Sequence, residues 1–173
     1  MLLPDQDRTL WDHERIAEGV RLLERALRMR RAGRYQVEAA IAAVHAEAER
    51  AEDTDWRQIV ALYGQLMVFT AGPIVVLNRA AAISQAEGAS AGLEALHGLG
   101  DALDGYGPYH AAQADMLRRA GRTADAAEAY GRALALAGND AERAFLRARR
   151  DALPARPERE LRCAAPRAEG HRG

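Results

Sequence analysis

Residues 109–140, YHAAQADMLRRAGRTADAAEAYGRALALAGND, decide the fold class. Small residues stand at Ala114, Ala126 and Ala133, Gly121 separates two alanine-rich runs, and Tyr130 and Leu136 supply larger apolar side chains in the second run. Alanine has the highest helix propensity and lets two helices approach closely. Glycine just past a helical run supplies the left-handed residue on which many helices end. The stretch is therefore predicted to be a helical hairpin.

Its spacing is that of a tetratricopeptide repeat (TPR), a helix pair of about 34 residues, with His110 where a tryptophan usually stands. The pattern recurs upstream. Gly88, Ala81 and Leu93 precede Gly121, Ala114 and Ala126 by 33 residues each, and Ile59, Tyr63 and Leu66 precede Leu93, His97 and Gly100 by 34. Three hairpins follow, the first with a lengthened loop, AERAEDTD. Helices are expected at 10–30, 36–50, 55–69, 74–87, 90–99, 108–120 and 123–137. An eighth starts at Asn139, with Glu142 at capping-box spacing, and fades near Leu153. On the third, Trp56, Val60, Tyr63 and Met67 share a side. The glycine-rich run LGDALDGYGP at 99–108 reads as a flexible loop between repeats. The fold class is thus all-α, a TPR-like solenoid of about eight helices.

Composition agrees with this reading. Of 173 residues, 49% are hydrophobic and only 5% aromatic, so the core rests on small aliphatic side chains and one domain is expected. The 24 basic residues are all arginine and face 25 acids. A balanced charge gives no global field for nucleic acid, and without lysine there is no Walker-type phosphate loop and no Schiff-base chemistry. One cysteine, Cys163, excludes an internal disulfide and a CxxC metal site, in keeping with a cytoplasmic location. The apolar window LMVFTAGPIVVL at 66–77 is too short to span a bilayer and reads as two helix ends meeting at a buried turn.

Catalytic chemistry finds no support in the sequence. His13 and Glu14 open like a zincin helix but lack the second histidine; His45 and Glu47, like His110 and Asp115, are spaced off a common helix face. No GxSxG elbow or GxGxxG turn is present. The acids of DQDRTLWD lack the glycine and distal glutamate of a calcium loop. Neither an enzyme, a cofactor, a metal nor a small-molecule substrate is expected. The arginine stripes Arg21, Arg25, Arg28 and Arg143, Arg147, Arg150 are interleaved with acids and read as solvated helix faces.

Ahead of the first helix, Thr9 and Asp12 have capping-box spacing, a cap that leaves Asp5 to Arg8 without a structural task. That first helix, AEGVRLLERALRM, reads as the second half of a hairpin, so further protein is expected upstream. Beyond Leu153, PARPERELRCAAPRAEGHRG has little to bury and is expected to be disordered. The chain divides into a linker at 1–9, a helical repeat domain at 10–153 and a tail at 154–173.

Taken in order, DQDRTLWD, ERIAEGVRLLERAL, YQVEAAIAAVHAEA, DTDWRQIVALYGQL, PIVVLNRAAAI and AERAFLRARRDAL resemble the C-terminal TPR-like region of a subgroup of extracytoplasmic-function (ECF) RNA polymerase sigma factors of the sigma-70 family. The likeness runs from Leu2 to Leu153. It implies a bacterial regulatory extension that modulates transcription initiation by docking, through a concave face made by the first helices of successive hairpins, to the sigma core or RNA polymerase. Sigma regions two and four are absent, so no promoter recognition attaches to these residues, and DQDRTLWD would be the segment joining core and extension. The family's polar motifs fall on Asp5, Gln6, Asp7, Arg8 and Trp11, on Asp53, Asp55 and Trp56, and on Asn78 and Arg79, which are the candidate protein-interaction residues. Read for structure alone, Asp53 and Asp55 are caps, both tryptophans are packing residues and Asn78 bonds between helices. The alternative function is a free-standing TPR-like adaptor with an unrelated protein partner.

Overall fold

The computed structural model describes residues 7–30 and 33–154; Asp5, Gln6 and the tail from residue 155 onward lie outside the described residues. The described chain is all-helical. Its α-helices are α1 His13–Arg28, α2 Arg34–Glu47, α3 Trp56–Phe69, α4 Pro73–Ala86, α5 Ala89–Ala95, α6 Gly100–Leu103, α7 Gly107–Arg119, α8 Thr123–Leu136 and α9 Asp140–Asp151. Short 3-10 turns at Arg8–Leu10 and Ala51–Asp53 precede α1 and α3. Each helix packs mainly on its chain neighbours, with α7 on α8 and α3 on α4 the most extensive pairs.

The extra helix relative to the sequence expectation is α6, inside the run read as a flexible loop. Leu103 is 5% exposed and packs with Leu77, Ala80 and Leu96, so burial of one leucine fixes a turn that glycine content alone would leave loose. The turn between α3 and α4 also departs from expectation: Val68, Phe69 and Ile74 are exposed, so it lies at the surface.

Three apolar clusters follow one another along the stack. Val37, Ile41, Val44, Ile59 and Leu66 join α2 to α3. Leu77, Ala80, Leu96, Leu103, Tyr109 and Met116 join the middle elements. Ala114, Leu117, Ala126, Ala129, Tyr130, Ala133 and Leu146 close the α7, α8 and α9 end. On α3 the side facing the core is set by Ile59 and Leu66, with Trp56, Val60 and Tyr63 flanking it.

Burial repeats with a different register from the one the glycines suggest. Ala80 and Ala114, Ile83 and Leu117, Gly92 and Ala126, Leu96 and Tyr130, and Leu103 and Ala137 are all buried and all 34 residues apart. The turn glycines Gly88 and Gly121 keep a spacing of 33 because the turn after α4 is one residue shorter than the turn after α7. The counterparts of Ala114 and Ala126 are therefore Ala80 and Gly92, not Ala81 and Leu93. At Gly121, φ is +75°; the amides of Gly121 and Arg122 bond back to the carbonyls of Arg118 and Leu117, closing α7 with a Schellman motif.

Gly92 marks a close helix approach. A Cβ there would lie 2.4 Å from Ser84 Cβ and 3.0 Å from both Ser84 Cα and Met116 Sδ. Arg119 ties the same crossing to the next hairpin, donating from Nη1 to Ser84 Oγ (2.9 Å) and from Nη2 to Ser84 O (2.8 Å). That carbonyl belongs to the last turn of α4, where no helical amide remains to satisfy it.

Two glycine substitutions separate packing from helix propensity. Gly131→Ala, in α8 with nothing within 4 Å of the new methyl, is expected to raise stability by up to about 1 kcal/mol. Gly92→Ala gains the same propensity but overpacks the crossing at a cost of about 1–3 kcal/mol, so its net stability is expected to fall below wild type. Urea unfolding of both variants is the measurement; equal stabilisation would show that the crossing has slack. Ala126→Arg, which forces a charge into a fully buried contact, is expected to unfold the α7 and α8 hairpin.

Candidate functional site at the end of helix α2

Asp7, Arg8 and Trp11, described residues of the leading run, lie beside one helix end. Arg8 is 9% exposed. Its Nη1 donates to the carbonyls of His45 (2.9 Å) and Ala48, the last turn and cap of α2. Helix C-termini carry unsatisfied carbonyls and the negative end of the helix dipole. A guanidinium answers both at once. The indole of Trp11 lies under the same group, 4.8 Å from the Arg8 Cζ, in cation–π range.

Asp7 holds this segment in shape. Its Oδ1 accepts from the Thr9 hydroxyl (2.6 Å) and the Thr9 amide (3.0 Å), and these bonds hold the carboxyl below its ordinary range. Asp7 thus caps the 3-10 turn, and Asp12 caps α1 by accepting from Arg15 N at 3.0 Å. The capping box expected between Thr9 and Asp12 is replaced by these two separate aspartate caps, because the 3-10 turn spends Thr9 on Asp7. Arg8 likewise has a structural task, contrary to the sequence reading.

The facing wall is the loop between α2 and α3. Arg50 Nε and Nη2 donate to the Asp53 carboxylate at 2.8 and 3.1 Å, and the Asp53 carboxyl lies below its usual range, chiefly through that hydrogen bond, with smaller help from the charges of Arg50 and Arg8. Asp53 is therefore an ion-pair partner; the cap of α3 is Asp55, accepting from Gln58 N at 2.9 Å. Trp56 packs against the α2–α3 cluster and meets the His45 ring edge-on at 5.2 Å. Asp7, Arg8, Trp11 and His13 on one side and Glu47, Glu49, Arg50 and Glu52 on the other line an open groove.

Asn78 and Arg79 stand apart on α4. Asn78 is exposed, and no inter-helix hydrogen bond forms from it among the described residues. Arg79 is half-buried with its Nε unpartnered among the described residues. A second groove runs between the second helices α5 and α8 with α7 as its floor, lined by Leu93, His97, Gln113, Arg122, Glu128 and Arg132. Among the described residues no group of three His, Cys, Asp or Glu side chains could hold a metal ion, and no helix is long and apolar enough to cross a membrane. His110, 2% exposed, donates from Nε2 to the Asp104 carbonyl at 2.7 Å.

His45, set aside with Glu47 in the sequence reading, stands at the centre of this helix end against Arg8 and Trp56. Burial, and then the adjacent Arg8 charge, push its pKa below the usual 6.5. Its only sequence signal is a place in the last turn of a helix that ends without glycine.

Arg8→Ala leaves two carbonyls without their donor and is expected to lower stability by about 2 kcal/mol, with Arg8→Lys restoring only part because an ammonium lacks the planar fork. Thermal unfolding reads both; an unchanged melting temperature for Arg8→Ala would remove the clamp. For His45, the unfolded chain takes up a proton at higher pH than the folded one, so stability is full above about pH 6.5 and is lost as pH falls from there through the folded pKa. His45→Phe is expected to flatten that acid-side loss. Parallel loss in both proteins would place its origin elsewhere.

No family model and no solved structure matches the chain. An uncharacterized protein of Rhizobium meliloti (strain 1021) is 46% identical over 157 residues, a match that covers 91% of this chain and 37% of the relative. The chain thus spans little more than a third of that relative's length.

Proposed function

We propose that this chain is a protein-interaction and regulatory domain equivalent to the C-terminal extension of an ECF sigma factor, acting in the cytoplasm by docking to the sigma core regions or RNA polymerase. The observation that carries the reading is the Arg8 clamp. Within the run whose resemblance is to the junction between core and extension, Arg8 is held against the end of α2. A joined core would then leave the helical stack from a fixed place rather than from a loose tether. Clamping also divides the labour within the run: Arg8 holds, while Asp7 and the rim residue Trp11 face the groove beside the Arg50 and Asp53 pair.

Two further features support it. The Rhizobium meliloti relative carries polypeptide beyond the matched region, as a domain joined to another functional part requires. Asn78, at a motif position of the resemblance, is exposed and makes no side-chain bond among the described residues, which leaves it free for a partner. Chemistry performed by the chain itself has no place in this reading.

The test is co-elution of the purified chain with RNA polymerase carrying an ECF sigma core. Binding is expected, weakened at least tenfold by Asn78→Arg, with the melting temperature changed by far less than in Arg8→Ala. Absence of binding to both core and polymerase would reject the reading, and specific binding to an unrelated protein would favour the adaptor. Alone, the chain is expected to give no sequence-specific footprint on promoter DNA, and any weak association should vanish as salt rises; a salt-resistant footprint would contradict this.

A further inference from the structure

Helix α1 is unlike every other long helix in the stack. None of its 16 residues is buried. Ile16, Val20 and Leu23 turn toward α2, the one helix with which α1 packs extensively among the described residues. A second apolar stripe, Gly19, Leu22, Ala26 and Met29, follows the 3, 4, 3 spacing of a helix-pairing seam. Leu22 is 50% and Met29 73% exposed. Among the described residues, five of the ten large exposed hydrophobic side chains, Leu10, Leu22, Leu27, Met29 and Tyr35, fall on or beside this helix, so the exposure is concentrated rather than scattered.

Charge identifies the occupant. Two local ion pairs, Arg15 with Asp12 and Arg28 with Glu24, use part of the helix's charge. The remaining acids, Glu14 and Glu18, lie in its first half, while the remaining bases, Arg21 and Arg25, lie in its second half with Arg30 just beyond; none has a partner among the described residues. A parallel neighbour of like sequence would oppose like charges. An antiparallel one opposes unlike charges throughout.

We infer that α1 is a self-association surface that pairs antiparallel with α1 of a second copy of this chain, about a two-fold axis passing beside Leu22. In that arrangement Glu18 faces the turn that carries Arg25 of the second copy, Glu14 faces Arg30, and the two contacts are repeated by symmetry. The helical period places Glu18 and Arg25 on the same flank of the stripe, and same-flank positions are the ones that meet in an antiparallel pair. Gly19 and Ala26 on either side of Leu22 let the two backbones approach. The seam is one helix long, well short of the roughly 1,600 Å² of a standard interface, so the dimer is a weak, concentration-dependent one. It uses a face distinct from the Arg8 groove and stands independently of the docking reading.

Sedimentation equilibrium of the full chain across a range from about 1 to several hundred μM tests it. Dimer is expected to appear at the upper end, and to weaken at 1 M salt, where the Debye length falls to about 3 Å. Leu22→Arg, at an exposed position that leaves the fold intact by circular dichroism, is expected to raise the dissociation constant at least tenfold. Glu18→Arg alone should do likewise, and the exchange Glu18→Arg with Arg25→Glu should restore pairing. A monomer at every concentration overturns the inference. So does a dimer indifferent to Leu22→Arg, or one that the charge exchange fails to restore.

Discussion

A helix that stops inside a stack points bare carbonyls at its neighbour, and this chain answers several such ends with arginine. Arg8 meets the end of α2, Arg119 the last turn of α4, and Arg143 donates to the cap carbonyl of Ala137 after α8. Each donor comes from a segment other than the helix it closes, so each bond that satisfies an end also ties two elements together. The planar guanidinium suits this task because it can donate in more than one direction while keeping its charge. In a chain without lysine, arginine serves as fastener as well as surface charge. Arg8 fixes a segment that precedes the first helix to the end of α2.

These straps work because the helices already lie close. Gly92 against Ser84 and Ala114 with Ala126 put small residues at successive crossings, and buried positions recur every 34 residues through the α4, α5, α7 and α8 pairs. A core built this way has little aromatic volume to spare. Its stability rests on near approach of backbones, which makes single methyl groups consequential.

Helix existence and type were legible in the sequence because alanine content, apolar spacing and turn residues agree; the eighth expected helix formed with Asn139 as its cap, while Glu142 reaches back to the Gly138 amide rather than to that of Asn139. The register was misread by one residue because glycines mark turns, and the turn after α4 is shorter than that after α7. Turn spacing and core spacing are separate quantities. Helix α6 was missed because a lone buried leucine outweighed four nearby glycines, a decision made by tertiary contact and invisible to local pattern. The candidate residues Asp7, Arg8, Trp11, Asp53 and Trp56 do gather around the end of α2, yet the sequence could not tell which would cap, clamp or pair. Those roles depend on the loop between α2 and α3 folding back to face the leading run.

The proposed docking rests on that geometry: a clamped leader would give the helical stack a defined attachment, and the groove beside it would present aspartate and indole to a partner. The most direct measurement is amide hydrogen exchange over residues 7–16 and over the end of α2, in the wild-type chain and in Arg8→Ala. The account predicts protection of the Leu10 and Trp11 amides in the wild type, where they bond to Asp7 and Arg8 carbonyls. It also predicts loss of protection in both segments of the variant, with α7 and α8 unchanged. A leader that exchanges freely in the wild-type chain, or is equally protected without Arg8, would contradict it.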